Sequence, residues 1–238
     1  MPPIVLVPMG VLAGLLTTIA GMGGGMLLLL AISATRGIHE ALAITAPALL
    51  VSNLHRAVLY RREFSGRVAG AFSLGAAPGA ILGGIIVPAI PTWVLNAILI
   101  GLTILALARA RGWFAWSPSS KALIPAGFGI GFLTATAGGA GLLVGPLFLA
   151  SGLRGSAYVA TVSVAAVALH VSRLVGYSVS GLLRPELLLP AGLLVVGLLL
   201  GNLFGRSLRG RLSQETEIRI ELGTLVTCTT LAVLGIVR

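Results

Sequence analysis

Eight apolar runs take up most of this sequence, at 4–34, 40–60, 66–89, 92–109, 122–151, 156–181, 186–206 and 218–237. All are long enough to be helical, and spanning the hydrocarbon of a bilayer takes about 20 such residues. Composition agrees, with 57% hydrophobic and 9% charged residues, against roughly 25% charged in a soluble domain. Six to eight spans would use nearly all of the 238 residues. One compact membrane unit is expected, in a multi-pass arrangement with the lipid bilayer as its surroundings.

The formal net charge is +10, yet the basic residues fall mostly in short gaps between apolar runs. That is the distribution of a membrane topology signal. It lacks the basic helix or aromatic-interleaved patch of a nucleic-acid binder, so no nucleic-acid partner is expected. A single cysteine, Cys228, excludes an intramolecular disulfide and a cysteine metal cluster, and packing is its expected role. The opening MPPIVLVPMG has no basic start and no clear cleavage site, so the first run is expected to stay in the mature protein.

Runs 4–34 and 122–151 are about 30 residues each, or roughly 45 Å of continuous helix against about 30 Å of hydrocarbon. Both contain a glycine cluster, GMGGG at 21–25 and GGAG at 138–141. Each is expected either to cross as a tilted, kinked helix or to enter, break and turn back. The clusters belong to an internal repeat, because at an offset of 117 the segment 17–67 matches 134–184 at 11 of 51 positions. Thr17, Ala20, Gly21 and Gly24 meet Thr134, Ala137, Gly138 and Gly141, and Arg56, Val58 and Tyr60 meet Arg173, Val175 and Tyr177. With one residue of slippage, Gly79 and Gly83 fall on Gly197 and Gly201, small-residue pairs suited to close helix packing.

Loop charge separates the two topologies. Straight spans would divide the basic residues outside the runs eight against six. Hairpins at both long runs place Arg61, Arg62, Arg67, Arg109, Arg111, Lys121, Arg154, Arg206, Arg209, Arg211 and Arg219 together against Arg36, Arg184 and Arg238, eleven against three. The asymmetry favours hairpins. Three crossings per repeat would invert the second repeat relative to the first, an arrangement common in secondary transporters. The expected fold class is therefore an all-α polytopic membrane protein with two sequence-related, inverted repeats, each opening with a glycine-broken helix. The expected division is a first repeat at 1–110, a polar linker at 111–120 and a second repeat at 121–238. Trp113 and Trp116 within the linker suit an interfacial belt or fall there by chance.

Backbone released from a helix inside a bilayer is tolerated where protein covers it or where it lines a polar cavity. Gly21, Gly23, Gly24, Gly25, Gly138, Gly139 and Gly141 therefore mark a candidate site, where following helix N-termini would favour an anion. The other reading is that they only permit tight helix crossing. Asn53, Arg56 and Tyr60 share one helical face, and His170, Arg173 and Tyr177 repeat that spacing. Arginine in a span is costly, and its planar fork suits oxyanions; alternatively both arginines snorkel to an interface. His170 could relay protons or simply hydrogen-bond within the bundle. Thr17 and Thr134 could meet a ligand or bond back to their own helices.

No glutamate sits deep in a run and aspartate is absent from the sequence, which disfavours a cation carrier built on buried acids. Phosphate-binding GxxxxGK[ST], GxSxG and HExxH patterns are also absent, so neither ATP binding by that loop nor an enzyme is expected, and no cofactor or metal is called for.

The segments GMGGGMLLLL, HEALAITAPALLVSNLHRAV, GGAGLLVGPLFLASGL and GAAPGAILGG together make the chain resemble the sulfite exporter TauE/SafE family. The resemblance covers nearly the whole chain and implies an inner-membrane permease for sulfite, sulfonates or related small anions. The family's proline after the glycine cluster is matched by Pro146 but replaced by Leu29 and Leu30 in the first half, and Ala140 interrupts the second cluster. The function expected is secondary transport of a small anionic substrate by alternating access. Its rivals are a permease for another solute on the same scaffold and a non-transporting membrane assembly partner. The reading also allows a homo-oligomer.

Overall fold

The structure is a computed structural model that describes residues 2–20, 23–111, 113, 122–138, 143–209 and 211–236. Among the described residues all the regular structure is helical. Its helices are α1 (Leu6–Ala20), α2 (Gly24–Arg36), α3 (Ile38–Leu59), α4 (Gly66–Ile86), α5 (Thr92–Ala110), α6 (Leu123–Thr136), α7 (Val144–Ala150), α8 (Gly155–Val179), α9 (Leu188–Arg209) and α10 (Gln214–Ile236). Among the described residues, four stretches are long and apolar enough to cross a membrane: Ile38–Leu59, Gly66–Ala89, Gly155–Val179 and Pro185–Arg209. Large apolar side chains such as Leu74, Val179, Leu188 and Phe204 point outward from these helices, as a lipid-facing surface requires.

The first long run is carried by two helices of 15 and 13 residues. Gly24, at the start of α2, lies so close to α1 that a Cβ there would strike the Ala13 carbonyl and the Thr17 hydroxyl. In one straight helix, residues 13 and 24 would stand about 16 Å apart, at 1.5 Å per residue. Helices α1 and α2 are therefore not one straight helix. Gly23 carries φ of +96°, which a Cβ would oppose. The second long run is likewise carried by α6 and α7, with Gly138 at φ +69° just after α6.

Glycine contacts reveal how the halves interlock. Gly75, Gly79 and Gly83 of α4 press against Ile124, Phe128 and Phe132 of α6, while Gly197, Gly201 and Gly205 of α9 press against Val7, Val11 and Leu15 of α1. A Cβ at any of the six would clash with facing atoms, mostly backbone. The α1 and α6 partners differ by 117 positions, as in the sequence match, but the α4 and α9 glycines differ by 122. Contact thus pairs Gly79 with Gly201 and Gly83 with Gly205, one helical turn away from the sequence pairing. Glycines spaced four apart look alike under such a shift, so sequence alone could not choose between them.

Side-chain bonds locate the ends of the bundle. Ser156 donates to the Glu63 carboxylate, and the Ser65 amide donates to Thr161 Oγ1 at 2.9 Å, placing the α3–α4 turn beside the start of α8. Arg154 therefore lies at the same end as Arg61, Arg62 and Arg67. At the far end, His39 Nε2 lies 3.3 Å from the Val87 carbonyl oxygen, joining the start of α3 to the end of α4. Arg36 caps that end, ion-paired at 3.6 Å with Glu40.

A buried polar knot fastens α1, α3 and α9. Thr18 donates to Asn202 Oδ1 at 3.0 Å, and Asn202 Nδ2 donates to Ser52 Oγ at 3.0 Å. All three side chains are buried. Cys228 is buried too.

Candidate functional site

The last carbonyls of a helix have no partner within it, and in apolar surroundings they must find donors elsewhere. Helix α1 stops inside the bundle, and two arginines meet its end. Arg56 donates through NH1 to Thr17 O at 3.2 Å, and Arg209 donates through NH1 to Thr18 O at 3.4 Å. Arg56 also gives NH2 to Asn53 Oδ1 at 2.6 Å, while Asn53 Nδ2 is anchored on Leu49 O at 2.7 Å.

Helix α6 ends in a comparable arrangement built from different groups. The Tyr177 hydroxyl donates to Ala135 O at 2.6 Å and accepts from Arg173 Nε at 2.7 Å. Arg173 reaches Leu42 O of α3 through NH2 at 3.2 Å, and its guanidinium carbon lies 5.1 Å from the Tyr177 ring centroid. Arg56 and Arg173 are 4% and 2% exposed, which excludes snorkelling to an interface.

Between these arrangements lies a cavity of about 120 Å³. It is lined by Thr17, Gly23, Gly25, Asn53, Arg56, Thr134, Gly138, His170 and Arg173, nine of the residues singled out from sequence. Gly24 is not among the lining residues, because it is the contact point of α2 on α1. Gly21, Gly139 and Gly141 lie outside the described residues. The hydroxyls of Thr17 and Thr134 donate to Ala13 O at 2.7 Å and Ile130 O at 2.6 Å, the back-bonded alternative, and so commit their protons to their own helices.

Sequence reasoning missed Thr45 and Leu49 on α3 and Val162 and Ala166 on α8, which also line the cavity. A signal existed. These four continue the arginine faces toward the helix N-termini by turns of three or four residues, and each α3 position has its α8 counterpart 117 residues later. Met26, Leu29, Phe72 and Val144 complete much of the apolar wall, and nothing local in the sequence marks them.

The chemistry of the cavity is one-sided. Two guanidiniums line it, whereas no carboxylate does among the described residues. Arg56 Nε and His170 Nδ1 are buried without a hydrogen-bond partner among the described residues. A buried guanidinium N–H without an acceptor suits a ligand rich in acceptor oxygens. No cluster of three metal-ligating side chains occurs among the described residues.

An all-helical chain that buries a two-arginine cavity among membrane-length apolar helices is built as a membrane transporter is built. The family model of the sulfite exporter TauE/SafE matches residues 6–233 of the 238, and the chain belongs to that family. Membership makes it a membrane protein of sulfite-exporter type, within a family of transporters. Neither the curated proteins nor the solved structures gave a match.

Proposed function

We propose that this protein is a secondary transporter of a small anion, namely sulfite, a sulfonate or a related organosulfur anion, in the inner membrane. The single observation that carries this reading is the buried cavity with Arg56 and Arg173 in its wall and no lining carboxylate among the described residues. A buried cation with spare N–H groups is costly without a counter-charge, and a bound oxyanion supplies one. Family membership supports the substrate class.

The repeats 1–110 and 121–238, joined by the linker 111–120, act as the two moving parts. Reciprocal packing of α4 on α6 and α9 on α1 supports an inverted relation between them. The glycine breaks let α1 and α6 end beside the substrate, and rocking of one repeat against the other exposes it to either side. The arginine-rich end faces the cytoplasm. Flux of sulfite and of sulfonates into proteoliposomes tests the reading. Transport by the wild type that is abolished in Arg173→Ala is the expected result; unchanged flux in that variant removes Arg173 from the site.

A further inference from the structure

Helices α3 and α8 run in opposite directions past the cavity, because α3 ends where α8 begins. Arg56 lies three residues from the end of α3, and Arg173 lies six residues from the end of α8, so the two arginines enter from opposite ends of the bundle. Their protein partners measure the separation. Arg173 bonds the carbonyl of Leu42, whereas Arg56 bonds the side chain of Asn53, itself anchored on the carbonyl of Leu49, seven residues further along α3. Seven residues of helix rise about 10 Å. A single three-oxygen anion hydrogen-bonded on both sides at about 2.8 Å joins donors no more than roughly 8 Å apart. The anchors of the two guanidiniums thus lie further apart than one sulfite-sized ion spans.

Each guanidinium keeps donors for a ligand. A guanidinium carries five N–H groups, and Arg56 Nε has no partner among the described residues. Arg173 gives Nε and one NH2 proton to the protein. Between them Leu49, Val162, Ala166 and Leu169 are apolar, Thr45 commits its hydroxyl proton to its own helix, and His170 carries an Nδ1 without a partner among the described residues. An apolar spacer between two cationic ends is poorly suited to one centrally held anion.

Resting on the anion-transport reading, we propose that the cavity contains two separate anion subsites. One is centred on Arg56 near the arginine-rich end, the other on Arg173 near the opposite end, and a transported ion passes from one to the other across the apolar middle.

The number of ions bound is the test. Full-length protein in nanodiscs is titrated with radiolabelled sulfite under anaerobic conditions, and bound label is counted by equilibrium dialysis. The expected result is two sulfite ions per chain in the wild type and one in each of Arg56→Gln and Arg173→Gln. One ion per chain in the wild type, lost in both variants, would overturn the two-subsite proposal while leaving anion transport standing. No binding in the wild type would overturn the anion reading itself. Arg56→Lys and Arg173→Lys keep the buried charge if the glutamine variants fail to fold, and the wild-type count needs no variant.

Discussion

The Arg173 Nε and the Tyr177 hydroxyl, one helical turn apart on α8, are joined at 2.7 Å, and the same hydroxyl passes its own proton to Ala135 O at 2.6 Å. One phenol thus orients a buried guanidinium and satisfies the end of α6. Tyr177→Phe removes both bonds while keeping the ring. Stranding a buried polar group costs about 1–3 kcal/mol, so the expected outcome is a lower melting temperature in detergent together with weaker anion binding. An unchanged melting curve would mean that α6 does not depend on this cap.

Backbone contact at the glycine stripes makes a second expectation. Gly201→Leu must push α9 off α1, since a Cβ there already collides with the Val11 carbonyl. Overpacking of well-packed sites costs roughly 1–3 kcal/mol or more, and the folded yield should collapse. Gly129→Ala, on α6 with nothing within 4 Å of the added Cβ, should fold as the wild type does. Size-exclusion profiles of the two variants compare them directly.

The Thr18–Asn202–Ser52 knot should behave as a unit. Asn202→Ala leaves Thr18 and Ser52 without their partner and is expected to destabilise by about 1–3 kcal/mol. Adding Thr18→Ala and Ser52→Ala should recover part of that loss, because removing every partner avoids stranded groups. The equivalent places in the other half are Ala80, Ala135 and Leu169, an apolar solution to the same packing problem. Thermal melts of the single and triple variants measure the recovery.

Topology can be read with single cysteines introduced after Cys228→Ser. Arg62→Cys and Arg154→Cys should label from one face of sealed vesicles, and Arg36→Cys and Arg184→Cys from the other. Labelling of positions 62 and 154 from opposite faces would contradict the turning back of the chain between α6 and α8.

Much of the site was legible along the chain. The i, i+3, i+7 spacing of Asn53, Arg56 and Tyr60, and of His170, Arg173 and Tyr177, needs only the helical period to be seen. Thr45, Leu49, Val162 and Ala166 follow from the same period, extended further than the polar residues lead the eye. Phe72 and Leu29 were not legible, because they reach the cavity from other helices and their neighbours in sequence say nothing about it.

What the sequence determined by itself was local: apolar runs that only a bilayer accommodates, glycine clusters at matching places in two halves, and an arginine on one face of a helix in each half. These follow from hydrophobicity and the helical period, which act over neighbouring residues. Tertiary structure alone decided that α9 meets α1 in the register of Gly197, Gly201 and Gly205 against Val7, Val11 and Leu15. It alone decided that Tyr177 and Arg209 bond the last carbonyls of α6 and α1, and that Arg56 and Arg173 approach one cavity from opposite ends. Such pairings join residues far apart in sequence, from 42 positions for Tyr177 and Ala135 to 191 for Arg209 and Thr18, and they are chosen by which interlocking of small and large side chains leaves no void and no stranded polar group.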